Sequence, residues 1–441
     1  MTANRGQRTA ADGRELRLWK VGWALTVIFT AAILAAGSVF YSLIALLDFQ
    51  EIDTTAKLDA KTLFDIVTLS FGVVAGAGAL VALVVAYRRQ RVDEAGAHRE
   101  ATRLHTERFS QAVDKLGSDS PAVRLGGVHA LAGLADDAPD DSLRQTCIDV
   151  LCAYLQLPYT PDPGTDPAHQ GEHHRYLALR KVRHTILRII GDHYRRPRGT
   201  HRSWQGCDLD LTGIIIDGDV SLDGATFSGG NVSFNGATFS GGNVSFNGAT
   251  FSGGVVSFDD ATFSGSYVSL ARARFSGGIV SFHGATFSGS DVYLPSTTFS
   301  GGIVSFDSAA FSGGNVSLAS ATFSGSAVSF DHAAFCGSMM SFSGMKLSSG
   351  EMSFNYASFS SGPVSFADAT FSGGEISFNS ATFSSSTTYF TGATFSNGAL
   401  SFVDVTGPPL RGLLDAVGVP VPATVTLPVS WHPSEPHPPG G

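Results

Sequence analysis

Four cysteines and one group of histidines are the side chains in this chain that could do chemistry. The cysteines are Cys147, Cys152, Cys207 and Cys336, and they form neither a CxxC pair nor a regular framework. Zinc sites need Cys or His ligands a few residues apart, and disulfide-stapled domains are dense in cysteine. The spacing therefore predicts neither a zinc site nor a disulfide scaffold, and it favours a reducing compartment.

The histidine group lies in "PYTPDPGTDPAHQGEHH", residues 158–174, which its prolines and glycines predict to be a loop. His169, Glu172, His173 and His174 could together hold a metal ion. Their spacing does not match a helical HExxH motif, and no rigid element is predicted to hold them. We therefore expect a solvated loop, with metal binding as the alternative.

Motifs for catalysis or for cofactor binding are absent from the sequence. The chain has no GxSxG and no Walker loop, and its many serines follow a repeat. Glycine pairs also recur with that repeat, which is typical of turns and not of a phosphate loop. We predict no catalytic, cofactor-binding or metal-binding residues, and a protein that is not an enzyme.

Two stretches near the N-terminus, about 22–47 and 66–87, contain no charged residue. A helix needs about 20 apolar residues to cross a bilayer, so both stretches are long enough, and we expect two transmembrane helices. Basic residues stand before the first stretch and after the second, whereas the connector is mainly acidic. The positive-inside rule then predicts an integral protein of the plasma (inner) membrane with both termini in the cytoplasm.

Residues 93–203 are predicted to be a cytoplasmic, largely helical segment. Ser120-Pro121 and Asp140 or Asp141 are the expected helix starts, and a last helix is expected over about 175–194. Between Arg175 and Arg202 there are nine Lys or Arg residues and one acid, Asp192. This cluster could lie on anionic lipid, bind an acidic partner, or simply be a solvated helix face.

A 12-residue repeat dominates the rest of the chain. One phenylalanine series begins at Phe227 and a second begins at Leu222, and together they hold 26 of the 32 phenylalanines. In "VSFNGATFSGGN", residues 232–243, apolar residues two apart predict short strands with Val232, Phe234, Ala237 and Phe239 inward. The Gly-rich segments between them predict corners, so the pattern indicates a β-solenoid with a stacked core.

"VSFNG" followed by "ATFSG" resembles two units of the pentapeptide-repeat family, over about residues 207–403. The resemblance implies a right-handed quadrilateral β-helix with one unit on each face. The chain departs from the family pattern because two extra residues follow every second unit, which predicts two enlarged edges. The complete layout resembles bacterial membrane-anchored pentapeptide-repeat proteins with two N-terminal transmembrane helices.

The length of one coil is open, because a coil could hold one copy of the 12-residue repeat or two. Leu270, Leu294 and Leu318 replace phenylalanine at every second copy, and this favours the longer, 24-residue coil. It predicts roughly 7 to 8 coils at a rise of about 4.8 Å each. The expected domains are 1–92 for the tail and membrane helices, 93–203, 204–405 for the solenoid, and 406–441 for a cap and a Pro-rich tail.

The charge of the solenoid helps to distinguish a protein-binding scaffold from a regulator that imitates nucleic acid. Between Asp219 and Phe402 there are ten acids and three bases, a charge density far below that of a DNA duplex. Some family members imitate DNA and bind gyrase, so the resemblance keeps such a regulator as the alternative. We expect a membrane-anchored scaffold that binds an unknown protein, with self-association as a further option and nucleic acid as an unfavoured partner.

Overall fold

The computed structural model describes ten residues between positions 23 and 38, residues 60–384 and residues 387–432. The chain forms two compact units, residues 1–101 and residues 102–441. Five α-helices have defined bounds among the described residues: α1 Ala60–Leu116, α2 Pro121–Asp136, α3 Asp141–Gln156, α4 Gln170–Tyr194 and α5 Leu413–Val417. Short 3-10 helices cover Pro167–His169 and Val429–Trp431.

The expected pair of membrane helices finds no support in the described part of the chain. No helix there is both long enough and apolar enough to span a bilayer. Most of the expected first span, about 22–47, lies outside the described residues. The expected second span, about 66–87, belongs to α1, which continues through charged sequence as far as Leu116.

The starts of α2 and α3 agree with the sequence signals, whereas α4 begins earlier than expected. Ser120 precedes α2, with proline in the first turn, and the Asp140 side chain caps α3 by accepting a hydrogen bond from the Leu143 backbone. α4 begins at Gln170, so the expectation of a loop through residue 174 was wrong. Val182, Ile186 and Ile190 form its buried stripe, as expected.

Residues 209–426 form a right-handed β-solenoid of about nine coils, slightly more than expected. Among the described residues, all strand pairs are parallel and form three sheets. The first sheet contains Leu209–Asp210, Thr226–Ser233, Thr250–Ser257, Arg274–Ser281, Thr298–Ser305, Thr322–Ser329, Lys346–Ser353, Thr370–Phe371, Glu375–Ser377, Thr394–Phe395, Ala399–Ser401 and Val425–Thr426. The second contains Ile215–Ile216, Thr238–Ser240, Thr262–Ser264, Thr286–Ser288, Ala310–Ser312, Ala334–Cys336, Ser358–Phe359 and Thr382–Phe383. The third contains Val220–Ser221, Asn243–Ser245, Tyr267–Ser269, Asp291–Tyr293, Asn315–Ser317, Met339–Ser341, Pro363–Ser365 and Thr387–Tyr389.

Strand pairing shows that one coil takes about 24 residues. Phe227 pairs with Phe251 in the first sheet, and Phe239 pairs with Phe263 in the second. Each coil therefore contains two copies of the 12-residue repeat. The two inward phenylalanine positions of each copy give four ladders of large side chains that run through the core, with smaller inward residues such as Val232 and Ala237 between them.

Three of these ladders are phenylalanine almost throughout, and the fourth is interrupted by leucine. Successive rings in the phenylalanine ladders lie nearly parallel, as in the pair Phe258 and Phe282, whose centroids are 4.7 Å apart. The substitutions Leu222, Leu270, Leu294 and Leu318 all fall in the fourth ladder, next to the third sheet. The alternation with phenylalanine along the sequence therefore follows from the arrangement of two repeats in one coil.

The two extra residues of each repeat form two different corners. In Thr226–Ser233 the strand runs on through Gly229 and Gly230, with shifts of register that mark a bulge. In the other repeat Gly241 and Gly242 both adopt positive φ and separate two strands. The two enlarged edges expected from the sequence therefore differ from each other, because one corner retains strand pairing and the other does not.

The remaining corners are four-residue turns such as Phe234–Ala237, in which the Ala237 amide donates to the Phe234 carbonyl at 3.0 Å. The third residue of these turns has positive φ, and glycine occupies it at Gly236 (62°). Other residues take the same conformation in other coils, including Ser320 at 57° and Tyr356 at 59°. Left-handed backbone is costly for a residue that carries a Cβ atom, so these corners contain local strain.

The C-terminal end of the solenoid is covered. Val425–Thr426 pairs with the last full rung, and α5 packs beside it. The buried Trp431 ring lies 5.3 Å from the Phe402 ring, and its indole N–H donates to the Gly407 carbonyl. Phe402, the last phenylalanine of its ladder, is therefore buried.

Candidate interaction surfaces and the N-terminal cap

Cys147 and His105 form a buried structural pair. The Cys147 sulfur is 3.7 Å from His105 Nε2, and both residues are buried. Burial raises the pKa of the Cys147 thiol to about 11 and lowers the pKa of His105. Both groups are therefore uncharged at neutral pH, whereas a nucleophilic Cys–His pair needs a thiolate.

The histidine group of the sequence is dispersed. His173 and His174 lie on α4, His169 ends the preceding 3-10 helix, and His173 Nδ1 is 2.7 Å from the Asp162 carboxylate. Across the described residues, no three His, Cys, Asp or Glu side chains come together as metal ligands. All four cysteines are free thiols, and of these Cys336 is exposed on the second sheet.

Much of the basic cluster between residues 175 and 202 covers the first coils of the solenoid. Arg180 donates to the Asp217 carbonyl, and the buried Arg183 donates to the Ile215 carbonyl. Arg195 donates to the carbonyls of Ser221 and Asp223. The first coil of a parallel solenoid has no preceding rung to pair with, and these guanidinium groups supply hydrogen bonds to its carbonyls.

Asp217 is the centre of this N-terminal cap. The hydroxyl groups of Tyr159 and Tyr176 donate to its carboxylate, and His184 Nε2 lies 3.4 Å from it. Burial acts to raise the pKa of Asp217, but hydrogen bonds from His184, Tyr176 and Tyr159 outweigh burial and lower it to about 2. Burial, together with the hydrogen bond to Asp217, raises the pKa of Tyr176 to about 12.

These contacts make the cluster structural. Asp217 is ionised at neutral pH, and both tyrosines are protonated donors to it. The Arg183 guanidinium also lies 4.6 Å from the centroid of the Tyr159 ring. The cap therefore joins α4 and the loop before it to the first coil through a set of satisfied polar groups.

This cap was not predicted from the sequence. The only feature of the sequence that pointed to the cap was the cluster of Lys and Arg residues immediately before the first repeat. Such a cluster is equally typical of lipid binding or of a solvated helix. The acceptors are mostly backbone carbonyl groups, and these have no signature in a sequence. The tyrosines and Asp217 lie 41 to 58 residues apart along the chain, so spacing did not connect them.

Most outward serines of the solenoid serve the structure. Ser281 donates to the Asp259 carboxylate, which also accepts the His283 amide at 3.1 Å. The arrangement recurs between Ser401 and Asn379, which also accepts the Val403 amide. A column of Asn and Asp side chains thus connects successive coils at one corner.

The third sheet differs from the others in its outward side chains. Tyr267 and Tyr293 stand out from the serine and asparagine residues of the neighbouring strands, and their rings stack at 5.1 Å. Arg272 and Arg274, two of the three bases between Asp219 and Phe402, are located at and just beyond the next corner. This patch combines aromatic and charged groups on a surface that is mostly uncharged.

Comparison with known proteins agrees with the repeat. The family described as pentapeptide repeats, in 9 copies, matches residues 211–262. This match is shorter than the resemblance seen in the sequence, which extended over about 207–403. Neither the curated proteins nor the solved structures contain a significant match to the chain. Residues 211–262 are thus similar to pentapeptide repeats, and their strands belong to the parallel coils of the solenoid.

Proposed function

We propose that this protein is a non-enzymatic scaffold whose solenoid offers its sides to a protein partner. The observation that carries the proposal is a rod with a continuous aromatic core and both ends covered. The Arg and Asp217 cap closes the first coil, and Trp431 packs on Phe402 at the other end. Covered ends oppose end-to-end stacking, so the lateral faces are the surface for binding.

The regular outward residues support the same function. Strand positions such as Ser288 and Ser300 lie on rungs whose inward neighbours are fully buried phenylalanines. A ligand on these faces would meet a rigid, mostly uncharged surface. Because this surface is already ordered, binding would cost the solenoid little conformational entropy.

Site-specific photo-crosslinking in cells tests the proposal. A photoreactive amino acid would replace Ser300 on the first sheet, Ser288 on the second or Met339 on the third, all of them exposed. A bound partner should give a discrete crosslinked band from one face and not from the other two. Absence of any protein adduct from all three positions would contradict the scaffold function.

A membrane tether is a further part of the proposal, and it depends on the sequence alone. The stretches 22–47 and 66–87 carry no charge, and basic residues surround them on the expected cytoplasmic side. The full-length protein should resist carbonate extraction from the plasma membrane. A variant with Leu34→Arg and Leu80→Arg should be released, because each charge costs about 3 kcal/mol in a bilayer centre. Release of the unmodified protein would reject the tether and leave the scaffold function intact.

A further inference from the structure

The first sheet carries a row of apolar side chains on its outward face. Ile279 and Ile303 are register partners in adjacent coils and are 41% and 48% exposed, and Val255 and Ala327 continue the row on either side. The two residues before the apolar residue are glycines in three successive coils, namely Gly253 and Gly254, Gly277 and Gly278, and Gly301 and Gly302. Because glycine has no side chain, these pairs leave a shallow channel beside the apolar row.

The acids of the solenoid are concentrated on this side. Six of the ten acids between residues 219 and 402 lie either in the corner that follows the first sheet or in the column of the isoleucines, namely Asp259, Asp260, Asp307, Asp331, Glu351 and Glu375. The three bases of that region lie elsewhere. Arg274 and Lys346 begin first-sheet strands at the opposite end, and Arg272 stands just before one of them. The face is therefore acidic along one side only.

The carboxylates of the acidic corner are not neutralised by other groups of the described chain. Asp307 Oδ1 accepts the Asp331 amide at 3.1 Å and also the Ser329 hydroxyl. Asp331 Oδ1 accepts the Asn355 amide at 2.8 Å and also the Ser353 hydroxyl. Among the described residues, Oδ2 of these two carboxylates takes part in no hydrogen bond or ion pair. Asp307 and Asp331 belong to successive coils and repel one another, so a cation placed beside them would be stabilised.

We propose that this face binds an amphipathic α-helix of a partner protein, with apolar side chains on the isoleucine row and Lys or Arg toward the acidic corner. The inference rests on the proposed scaffold function and adds the chemistry of the partner. A purely polar segment would leave the apolar row in contact with water, and an acidic segment would be repelled by the corner. A helix with one apolar and one basic side satisfies both parts of the face.

The dimensions of the face suit a helix that lies along the rod. Ile303 and Asp307 are four residues apart, which is at most about 13 Å along an extended chain. An α-helix with its side chains is about 10–12 Å wide, so it can contact both. Its pitch of about 5.4 Å is close to the rise of about 4.8 Å from coil to coil. The row from Val255 to Ala327 covers three such steps, about 14 Å, or about ten helical residues.

The apolar row separates this inference from imitation of nucleic acid. A DNA duplex presents closely spaced phosphates and no exposed row of isoleucines. A partner surface that binds DNA would therefore gain from the carboxylates and nothing from Ile279 and Ile303. An amphipathic helix gains from both, so substitution of the isoleucines distinguishes the two kinds of partner.

Photo-crosslinking in cells from Ser300, in the full-length chain, tests the inference. Ser300 lies across the glycine channel from Ile303 on the same strand, so it is within reach of a helix bound there. Two double variants are compared in this background: Ile279→Ala with Ile303→Ala, and Asp307→Asn with Asp331→Asn. We expect the yield of the adduct to fall about tenfold in each, because each removes one part of the contact.

Mass spectrometry of the adduct identifies the captured segment. It should contain apolar residues three and four apart, with Lys or Arg on the adjoining side of the same helix. Capture of a protein without this pattern does not satisfy the inference.

The substitutions introduce residues that the same columns already contain. Asn355 and Asn379 accept the equivalent hydrogen bonds in the acidic corner, and Ala327 follows the isoleucines in their column. The variants should therefore retain the circular dichroism spectrum of the unmodified chain. Asp219→Asn with Asp291→Asn, on the third sheet, is the matched control. It removes the same number of charges from another face and should leave the adduct unchanged.

Three outcomes would overturn the inference. The first is an adduct whose yield is unchanged in either double variant, and loss with the asparagines alone would indicate a purely electrostatic partner. The second is an adduct to another copy of this chain, or to a segment without Lys and Arg. The third is an adduct from Ser288 or Met339 but none from Ser300, which would leave the scaffold function intact. Absence of adducts from all three positions would reject both proposals.

Discussion

Phe282 and Phe306 occupy the same place in successive coils, with ring centroids 4.8 Å apart and ring planes 2° apart. This separation is close to the spacing between hydrogen-bonded strands, so the backbone ladder and the ring ladder have the same period. The core therefore cannot be repacked in one coil without a change in the contacts of the next.

Replacement of Phe306 by alanine should strongly destabilise the solenoid. Its side chain is 2% exposed and stacks with both Phe282 and Phe330. We expect a loss of about 3–5 kcal/mol in the free energy of unfolding, measured by denaturant titration. Phe306→Leu is the control and should cost much less, since it retains most of the buried apolar volume and leucine fills the corresponding position of the other repeat at Leu294 and Leu318. An unchanged unfolding curve for the alanine variant would contradict the ladder core.

The corners with positive φ predict opposite effects for a reciprocal pair of substitutions. Ser320 and Gly344 hold the same position in consecutive coils, with φ of 57° and 66°. Ser320→Gly should stabilise the fold by about 1 kcal/mol because it relieves a left-handed conformation, whereas Gly344→Ser should destabilise it by a similar amount. Thermal melting of both variants measures the effect. Equal signs for the two changes would show that corner strain does not determine stability here.

Stability should depend on acid pH through Asp217. Its pKa is about 2 in the folded protein, below the ordinary value near 4, so the ionised carboxylate stabilises the fold. This contribution is complete above about pH 4 and is lost as the pH falls through 2. Asp217→Asn should lower the free energy of unfolding by about 2 kcal/mol at pH 7, and the difference should vanish near pH 2. A difference that stays constant over this range would exclude the ionised Asp217 as its source.

The four thiols should differ in reactivity at neutral pH. Cys336 is exposed, whereas Cys147 and Cys152 are buried and burial raises their pKa to about 11 and about 12. Mass spectrometry after treatment with a maleimide should show modification at Cys336 first and at Cys147 only after unfolding. Rapid modification of Cys147 in the folded protein would indicate a reactive thiol and would reopen the question of catalysis.

The solenoid was readable from the sequence because each core position repeats. Phe227 and Phe239 recur at fixed offsets, and the leucines at 270, 294 and 318 favoured a coil of two repeats, which strand pairing confirms. The sequence could not distinguish the corner that continues the strand pairing at Gly230 from the corner that separates two strands at Gly242, because both glycines stand in the same local sequence. The difference arises from the neighbouring coils with which each corner pairs.

The N-terminal cap was not predictable for a different reason. Arg195 and Arg180 looked like any exposed cation, since their acceptors are carbonyl groups about 26 to 37 residues further along the chain. Tyr159 and Asp217 have no repeat and no motif that relates them. Such contacts follow from the packing of α4 on the first coil, which the sequence pattern of either element does not specify.

Because one coil contains two copies of the 12-residue repeat, deletion of one copy and deletion of two copies would change the solenoid in different ways. Deletion of two successive repeats would shorten the rod by one rung, and each remaining side chain would stay on the same face of the solenoid. Deletion of a single repeat would shorten it by half a rung and turn everything downstream by half a revolution. Gain or loss of two repeats can therefore change the length of the rod alone. Gain or loss of one repeat also turns the C-terminal end of the rod to the opposite side.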